Sequence, residues 1–256
     1  MSYLTNDFDI NYLKIKNINI KYYLSSLLSK FNFTHAFFTK GCSIFPIEEL
    51  ARNFHNDANN FINNQIHSDF IVHGSRLITG KRFDADGMVS ESSNQNLWIY
   101  TADCMPIFFA DKSSRLVAAI HCGRKGLEKN IIKKMLNQMQ NLGSLKKNIL
   151  VAIGPAISKE NYFIDENCLK LFYKNNFPKV NSKSILDSKY IYKHSENKYS
   201  LDIRGYAFNQ LISNNISPEN IDISNSCTYK LDDQFYSWRR EKIKKRNWNF
   251  ITSKLI

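Results

Sequence analysis

A succession of apolar runs rich in β-branched and aromatic residues, each cut off by a polar or glycine-containing turn, constrains this chain more than any other feature. Three of them read Asp69-Phe-Ile-Val-His73-Gly74, Leu97-Trp-Ile-Tyr-Thr-Ala-Asp-Cys104 and Arg115-Leu-Val-Ala-Ala-Ile-His121-Cys-Gly123; residues 106–110 and 148–153 are two more. Runs of this length and composition predict strands. The short polar stretch Asp111-Lys-Ser-Ser-Arg115 between two such runs predicts a hairpin, so the sheet is expected to be mixed rather than all parallel. Residues 126–140 place Leu127, Ile131, Met135 and Met139 at helical spacing, with Gly143 as a stop, and predict a helix packed on the sheet. Those methionines read as core filler. Residues 203–212 predict a second helix, Ser217-Pro218 an N-cap with proline at the first helical position, and residues 221–226 a strand. The expected fold class is α/β (α+β): a layered sandwich with a mixed β-sheet core flanked by helices. At 256 residues and 43% hydrophobic content the chain can bury a full core, and a single domain over residues 1–256 is the simpler expectation. Residues 1–65 read as an N-terminal αβ cap, and residues 175–200 as a mobile loop or excursion.

The three opening runs stop at His73, Cys104 and His121. In sheets flanked by helices, sites form at strand ends, where residues distant in sequence converge. Two imidazoles and a thiolate would give zinc three ligands and leave a fourth position open, as catalytic rather than structural sites do. The separations, 104 − 73 = 31 and 121 − 104 = 17 residues, match no local metal signature. Taken singly, the plainer reading of each residue is a buried thiol or a hydrogen-bonded histidine.

Composition narrows the classes. No run of eighteen apolar residues exists, and the start lacks a basic region followed by an apolar stretch, so neither a membrane partner nor a secretory leader is expected and the location reads as cytoplasmic. Five widely spread cysteines do not form a disulfide framework, and a zinc thiolate requires a reduced compartment. Cys42, Cys168 and Cys227 read as small buried or semi-buried thiols. Cys122 reads as a spectator, since neighbours on a strand face opposite ways. The net charge of +12 and the segment from Trp238 to Trp248, where bases and aromatics interleave, raise nucleic acid as a partner. Lysine, asparagine and isoleucine are abundant along the whole chain, however, so Lys242, Lys244 and Lys245 read as a solvated basic face and no nucleic-acid partner is expected.

The segments Val72-His73-Gly74, Asp84-Ala-Asp86-Gly-Met-Val, Thr101-Ala-Asp-Cys-Met-Pro106, His121-Cys-Gly123 with Gly126, Ile153-Gly-Pro-Ala-Ile-Ser158, Cys227-Thr228 and Tyr236-Ser-Trp-Arg-Arg240 stand in the order seen in one family. From about His73 to Phe250 the chain resembles the YfiH/laccase-domain family, variously labelled polyphenol oxidase, multicopper laccase-like, peptidoglycan editing factor and purine nucleoside phosphorylase. The resemblance implies a metalloenzyme that holds zinc on His73, Cys104 and His121 and takes a purine nucleoside and phosphate as partners. The implied activities are phosphorolysis of adenosine, inosine and methylthioadenosine, and adenosine deamination. Arg239, Arg240 and Arg246 fall on the family's S-x-R-R and following arginine positions, where one is expected to fix the local fold and another to hold phosphate. The segment that usually reads H-A-G-W-R-G is here His121-Cys-Gly-Arg124-Lys125-Gly126, which exchanges a ring for a guanidinium and a guanidinium for an ammonium. The first ligand is usually preceded by Q-V; before His73, Ile71 takes the glutamine's place.

Phosphorolysis passes through an oxocarbenium-like transition state, so phosphate must be positioned and the leaving base neutralised. Arg124, Lys125, Arg239, Arg240 and Arg246 are the expected substrate and phosphate contacts. Deamination would instead use a metal-bound hydroxide with a carboxylate moving protons; Asp103 is the leading carrier and Asp86 the next, with a turn-capping role for Asp103 as the plain alternative. His194-Ser-Glu196 resembles the H-x-E of cytidine-type deaminases, but no P-C-x-x-C follows it. Six scattered histidines are too few for a multicopper oxidase, although Cu2+ is expected to outcompete Zn2+ in vitro. A Cys104/His121 hydrolase and a zinc-binding protein without catalysis, related to peptidoglycan editing, are the other readings.

Overall fold

In a computed structural model, which describes residues 3–54, 58–176 and 189–254, two six-stranded sheets lie face to face. The first runs β1 (Asp9–Ile15), β2 (Ile18–Leu24), β3 (His35–Phe38), β15 (Asn247–Thr252), β7 (Gln95–Thr101), β4 (Asn59–Ile62) in spatial order. The second runs β14 (Ile221–Ile223), β10 (Ile149–Ile153), β8 (Met105–Asp111), β9 (Val117–Cys122), β6 (Gly87–Val89), β5 (Ile71–His73). Pairs β4/β7, β5/β6 and β10/β14 are parallel and the rest antiparallel, so the sheets are mixed as expected. The hairpin at residues 111–115 joins β8 to β9.

Strands that are apolar throughout feed two cores at once, because successive side chains point to opposite faces. Phe108, Ala110, Val117, Ala119, Leu150 and Ala152 meet Phe37, Leu97, Ile99 and Ile251 of the first sheet between the layers. Their neighbours Ile107, Phe109, Ala118, Ile120, Val151 and Ile153 meet the helices outside. There α4 (Ile131–Asn141) buries Ile131, Ile132, Met135, Leu136 and Met139 completely, each contributing roughly 1.5–3 kcal/mol relative to exposure. On the other face of the first sheet, α2 (Ile47–Arg52) sets Leu50 and Ala51 against Phe38, Trp98 and Phe250. The remaining α-helices among the described residues are α1 (Ser26–Lys30), α3 (Arg124–Glu128), α5 (Glu166–Asn176), α6 (Ile203–Ser213) and α7 (Trp238–Glu241). Among the described residues no helix is long and apolar enough to cross a membrane.

Several expectations are corrected. The helix foreseen over 126–140 is two helices, because Asn130 takes a left-handed conformation (φ 57°) that asparagine adopts at low cost, while its Oδ1 accepts from Gln210 Nε2. Residues 1–65 are no cap: they supply β1 to β4, four strands of the first sheet. Lys16 and Asn17, both at positive φ, make the tight turn between β1 and β2. Residues 189–201 are not a loop but a hairpin of β12 (Ile191–Ser195) and β13 (Lys198–Leu201), which with β11 (Phe163–Ile164) makes a third sheet; residues 177–188 lie outside the described ones. Pro218 opens a single 3-10 turn as foreseen, but the Ser217 side chain makes no cap bond. Strand β14 stops at Ile223, since the Ser224 and Ser226 carbonyls turn to the buried Arg204 guanidinium.

Candidate metal centre

Sheet register brings the chemistry together. In the β8/β9 hairpin Met105 pairs with Cys122, which sets Cys104 opposite Gly123. A Cβ on Gly123 would lie 2.4 Å from Cys104 Sγ, so only glycine leaves the sulfur room. In the β6/β9 pair Gly87 faces Ile120, which places Asp86 beside His121. The Asp86 carboxylate accepts from His121 Nδ1 at 2.8 Å and leaves Nε2 as the nitrogen that meets Cys104. That same carboxylate also gathers the backbone N–H groups of Ile66 (3.2 Å), His67 (3.1 Å) and Ser68 (2.5 Å) and the Ser68 hydroxyl (2.7 Å).

His67 therefore stands on a turn, at φ 56°, pulled toward the strand that carries His121. Its ligand atom, Cys104 Sγ and the His121 ring nitrogen lie within 4.8 Å of one another, the one such group of three among the described residues. Here the expectation of His73 is corrected. His73 ends β5, six residues on, and its Nδ1 bonds Glu91 Oε1 at 2.9 Å, away from the cluster. Sequence reasoning missed His67 although a signal was present. The Q-x-H pattern falls on Gln65-Ile66-His67, and Gln65 explains why it matters: its amide takes the Tyr100 carbonyl (2.6 Å) and N–H (2.9 Å), pinning the His67 turn to β7.

Electrostatics tie the three together. Burial works to raise the Cys104 thiol, but His121 and His67 outweigh it and hold the thiol below its ordinary range. Burial works to lower His121, but the Cys104 sulfur and Asp86 hold it above the ordinary imidazole value. Against desolvation, hydrogen bonds from His121 and Ser68 keep Asp86 well below the usual carboxylate range. A thiolate and two imidazoles with one nitrogen fixed by a carboxylate are a donor set that fits zinc or copper.

The cluster lines a cavity of about 470 Å³ with Tyr100, Tyr162 and Trp238 as its rings and Arg124, Lys125, Arg239 and Arg246 as its cations. Five expected contacts separate here. Arg240 is a fold residue: its guanidinium donates to the carbonyls of Thr228 (2.8 Å), Tyr229 (2.6 Å) and Phe235 (2.6 Å) and pairs with Glu241. Arg239 lines the cavity while donating to the Phe163 carbonyl at 2.7 Å. Arg246 lies 5.6 Å from the Trp238 ring centre. Arg124 pairs with Glu128 one helical turn on, so its charge is met within α3. Lys125 is exposed at the cavity. The ring lost at position 124 is not the end of stacking, since three rings remain.

Asp103 also lines the cavity, at φ 89°, yet both its carboxylate oxygens are taken, by the Thr228 hydroxyl (2.8 Å) and the Arg239 N–H (2.6 Å). Asp86 is engaged likewise. Cys122, fully buried with its thiol pushed up by burial, stays outside the cluster as expected. His194 sits in the β12/β13 hairpin and bonds the Ser200 hydroxyl at 2.9 Å, apart from the cavity.

Comparison with known proteins places this geometry. Residues 47–254 match the family model described as multi-copper polyphenol oxidoreductase laccase. Purine nucleoside phosphorylase slr1573 of Synechocystis is 27% identical over 254 residues, covering 93% of this chain and 96% of that protein. Purine nucleoside phosphorylase Cj1217c of Campylobacter jejuni is 32% identical over 71% of this chain and 72% of its own length. Among solved structures, YlmD from Geobacillus stearothermophilus superposes with a TM-score of 0.78 at 19% identity, over 96% of this chain and 100% of that one. The hypothetical protein YfiH of Bacillus licheniformis superposes at 0.76, with 23% identity, over 92% and 96%. At such identities the two structures speak for the fold alone.

Proposed function

The chain belongs to the multi-copper polyphenol oxidoreductase laccase family, and from that premise we propose that it is a zinc-dependent purine nucleoside phosphorylase, acting as one domain over residues 1–256. Its substrates are adenosine, inosine or methylthioadenosine together with inorganic phosphate. The observation that carries this reading is that the His67, Cys104 and His121 cluster opens on a cavity furnished with both rings and cations. Relatives named purine nucleoside phosphorylase support it. Five free cysteines, one of them in the cluster, suit a reducing, cytoplasmic setting.

Zinc bound by His67, Cys104 and His121 would supply a Lewis acid with an open coordination position, and copper would compete for the same donors in vitro. The protein's own residues do the rest. Tyr100, Tyr162 and Trp238 offer faces on which a purine stacks. Lys125, Arg239 and Arg246 offer charge-assisted donors to the attacking phosphate, whose alignment with the ribose carbon is the main contribution a phosphorylase makes. Asp86 takes the Nδ1 proton of His121 and fixes the ring, so that Nε2 is the nitrogen that would be offered to a metal.

Deamination is the weaker reading, because it needs a carboxylate free to move protons, whereas Asp86 is filled with N–H and O–H donors and each Asp103 oxygen already accepts a hydrogen bond. The test is release of free purine by zinc-loaded protein with and without phosphate. Release that requires phosphate is the expected result. Release without it, conversion of adenosine to inosine, or no turnover of any nucleoside would each sink the reading.

A further inference from the structure

Tyr100 and Arg246 line the metal cavity, and they also line a second cavity of about 670 Å³ whose walls include Arg82, Lys244, Lys245 and Trp248. The two cavities therefore adjoin at these two side chains. Phosphorolysis as proposed uses only the first.

Four cations from two distant segments meet in the second cavity, and among the described residues no carboxylate lines it and none of the four is held in an ion pair. A cleft lined by one sign of charge concentrates counter-ions. Lys244 and Lys245 read from the sequence as a solvated face, but the backbone that carries them is fixed in place. The Asn247 side chain clamps the Tyr236 backbone, accepting its N–H and donating to its carbonyl, both at 2.9 Å. Within the loop, the Arg246 guanidinium donates to the carbonyls of Ile243 (2.9 Å) and Lys245 (2.8 Å). Across the cavity, a turn with Gly80 at φ 81° delivers Arg82. The residues after it are tied to the strand end that leads into the His67 turn: Phe83 accepts the Asn64 N–H at 2.9 Å and Ala85 donates to the Asn64 carbonyl at 3.1 Å. Gln65 in turn donates its N–H to the Tyr100 hydroxyl at 3.0 Å, fixing a ring that meets Trp248 edge-on at 5.7 Å.

Charge decides what such a cavity takes. One phosphate monoester carries about −1.5 to −2, which Arg246 with Arg239 or Lys125 already matches. Arg82, Lys244 and Lys245 are then surplus, and three further cations suit a chain of phosphates. We propose that the second cavity is the phosphate-chain subsite for a purine nucleotide: base and ribose occupy the metal cavity, and a 5′-diphosphate or triphosphate runs past Arg246 onto Arg82, Lys244 and Lys245. This rests on the purine reading of the metal cavity and widens its ligands from nucleosides to nucleoside 5′-polyphosphates.

The probes are adenosine and adenosine 5′-diphosphate, measured by equilibrium dialysis against zinc-loaded protein in phosphate-free buffer. One diphosphate per chain, bound at least about tenfold more tightly than adenosine and displaced by it, is the expected outcome. Arg82→Glu combined with Lys244→Glu and Lys245→Glu should bring the diphosphate down to the affinity of adenosine, with adenosine binding and zinc content as in the parent. Equal affinities on the parent, which need no variant to fold, overturn the proposal. So does a diphosphate that adenosine fails to displace, or inorganic pyrophosphate binding as tightly as the nucleotide, since the groove would then be a surface for any polyanion. Phosphate-dependent purine release without a preference for the diphosphate sinks this inference and leaves the phosphorylase reading standing; the preference without purine release does the reverse.

Discussion

His67 and His73 stand six residues apart on either side of one short segment, and only one of them joins the cluster. His73 ends a regular strand and has a carboxylate of its own, Glu91, at 2.9 Å. His67 sits on an irregular turn that has no strand to hold it, so the fold holds it by other means: Asp86 takes three successive backbone N–H groups from below and Gln65 clamps the Tyr100 backbone from the side. The difference teaches that a ligand position is defined by what immobilises its backbone. A histidine at a tidy strand end is the easier one to notice, yet it is the one on the turn that meets Cys104 and His121.

The hardest blow to this comparison is metal content. Parent protein should carry about one zinc per chain, and His67→Ala or Cys104→Ala should lose it, while His73→Ala and Cys122→Ala keep it. Elemental analysis with the opposite dependence on the two histidines would remove the cluster as the metal site. Next in size is the clamp itself. Asp86→Asn keeps the shape but weakens the hold on His121 and the 66–68 turn, and should lower zinc affinity about 10- to 100-fold in competition with a chelator; an unchanged affinity would mean the turn is held without it.

A third histidine sharpens the contrast. His35 is buried, with Nε2 accepting the Ser25 N–H at 2.9 Å and Nδ1 donating to the Phe33 carbonyl at 2.8 Å, so it should govern stability and leave zinc untouched. Burial pulls it from 6.5 down to about 4. The unfolded chain therefore takes up this proton first as pH falls. The contribution is complete above about pH 6.5 and is lost progressively on the way down to about pH 4. Denaturation series at both ends should show the parent losing roughly 3 kcal/mol more than His35→Gln. Equal acid sensitivity would place the effect elsewhere.

The arginines offer smaller effects. Arg239→Ala should raise the KM for phosphate more than that for nucleoside, whereas Arg240→Ala, which strips three carbonyls of their donor, should show first as a lower Tm. The smallest change is expected from Arg124→Trp. Since Glu128 already meets the charge at 124, the substitution should shift preference among nucleosides by a few-fold at most, with zinc content unchanged. Kinetics matching the parent on every nucleoside would show that this side chain does not face the base.

The sheet core was legible because residues 105–111, 117–122 and 149–153 are apolar apart from Asp111 and His121, and burial on both faces satisfies such runs. Cys104 and His121 were legible because each stands where such an apolar run stops. His67 was not, because the contacts that fix it, from Asp86 and Gln65, are side chain to backbone and leave no periodicity. The break at Asn130 was hidden by apolar spacing that continues smoothly from Leu127 to Ile131 across it. Arg239 and Arg240, adjacent and alike on paper, were separable only once the carbonyls around Arg240 were in view.

Strand β15 follows every other strand in sequence yet pairs with both β3 and β7 in the middle of the first sheet. A ribosome adding about 5–20 residues per second must make well over a hundred residues between β7 and β15. For those seconds the edges of β3 and β7 stand open, and β3 is a strand whose four residues are all buried in the finished fold. Edge-to-edge association of nascent chains is the hazard this topology carries until β15 is made, and Trp238, Arg239 and Arg246, translated just before it, line the cavity beside the His67, Cys104 and His121 cluster.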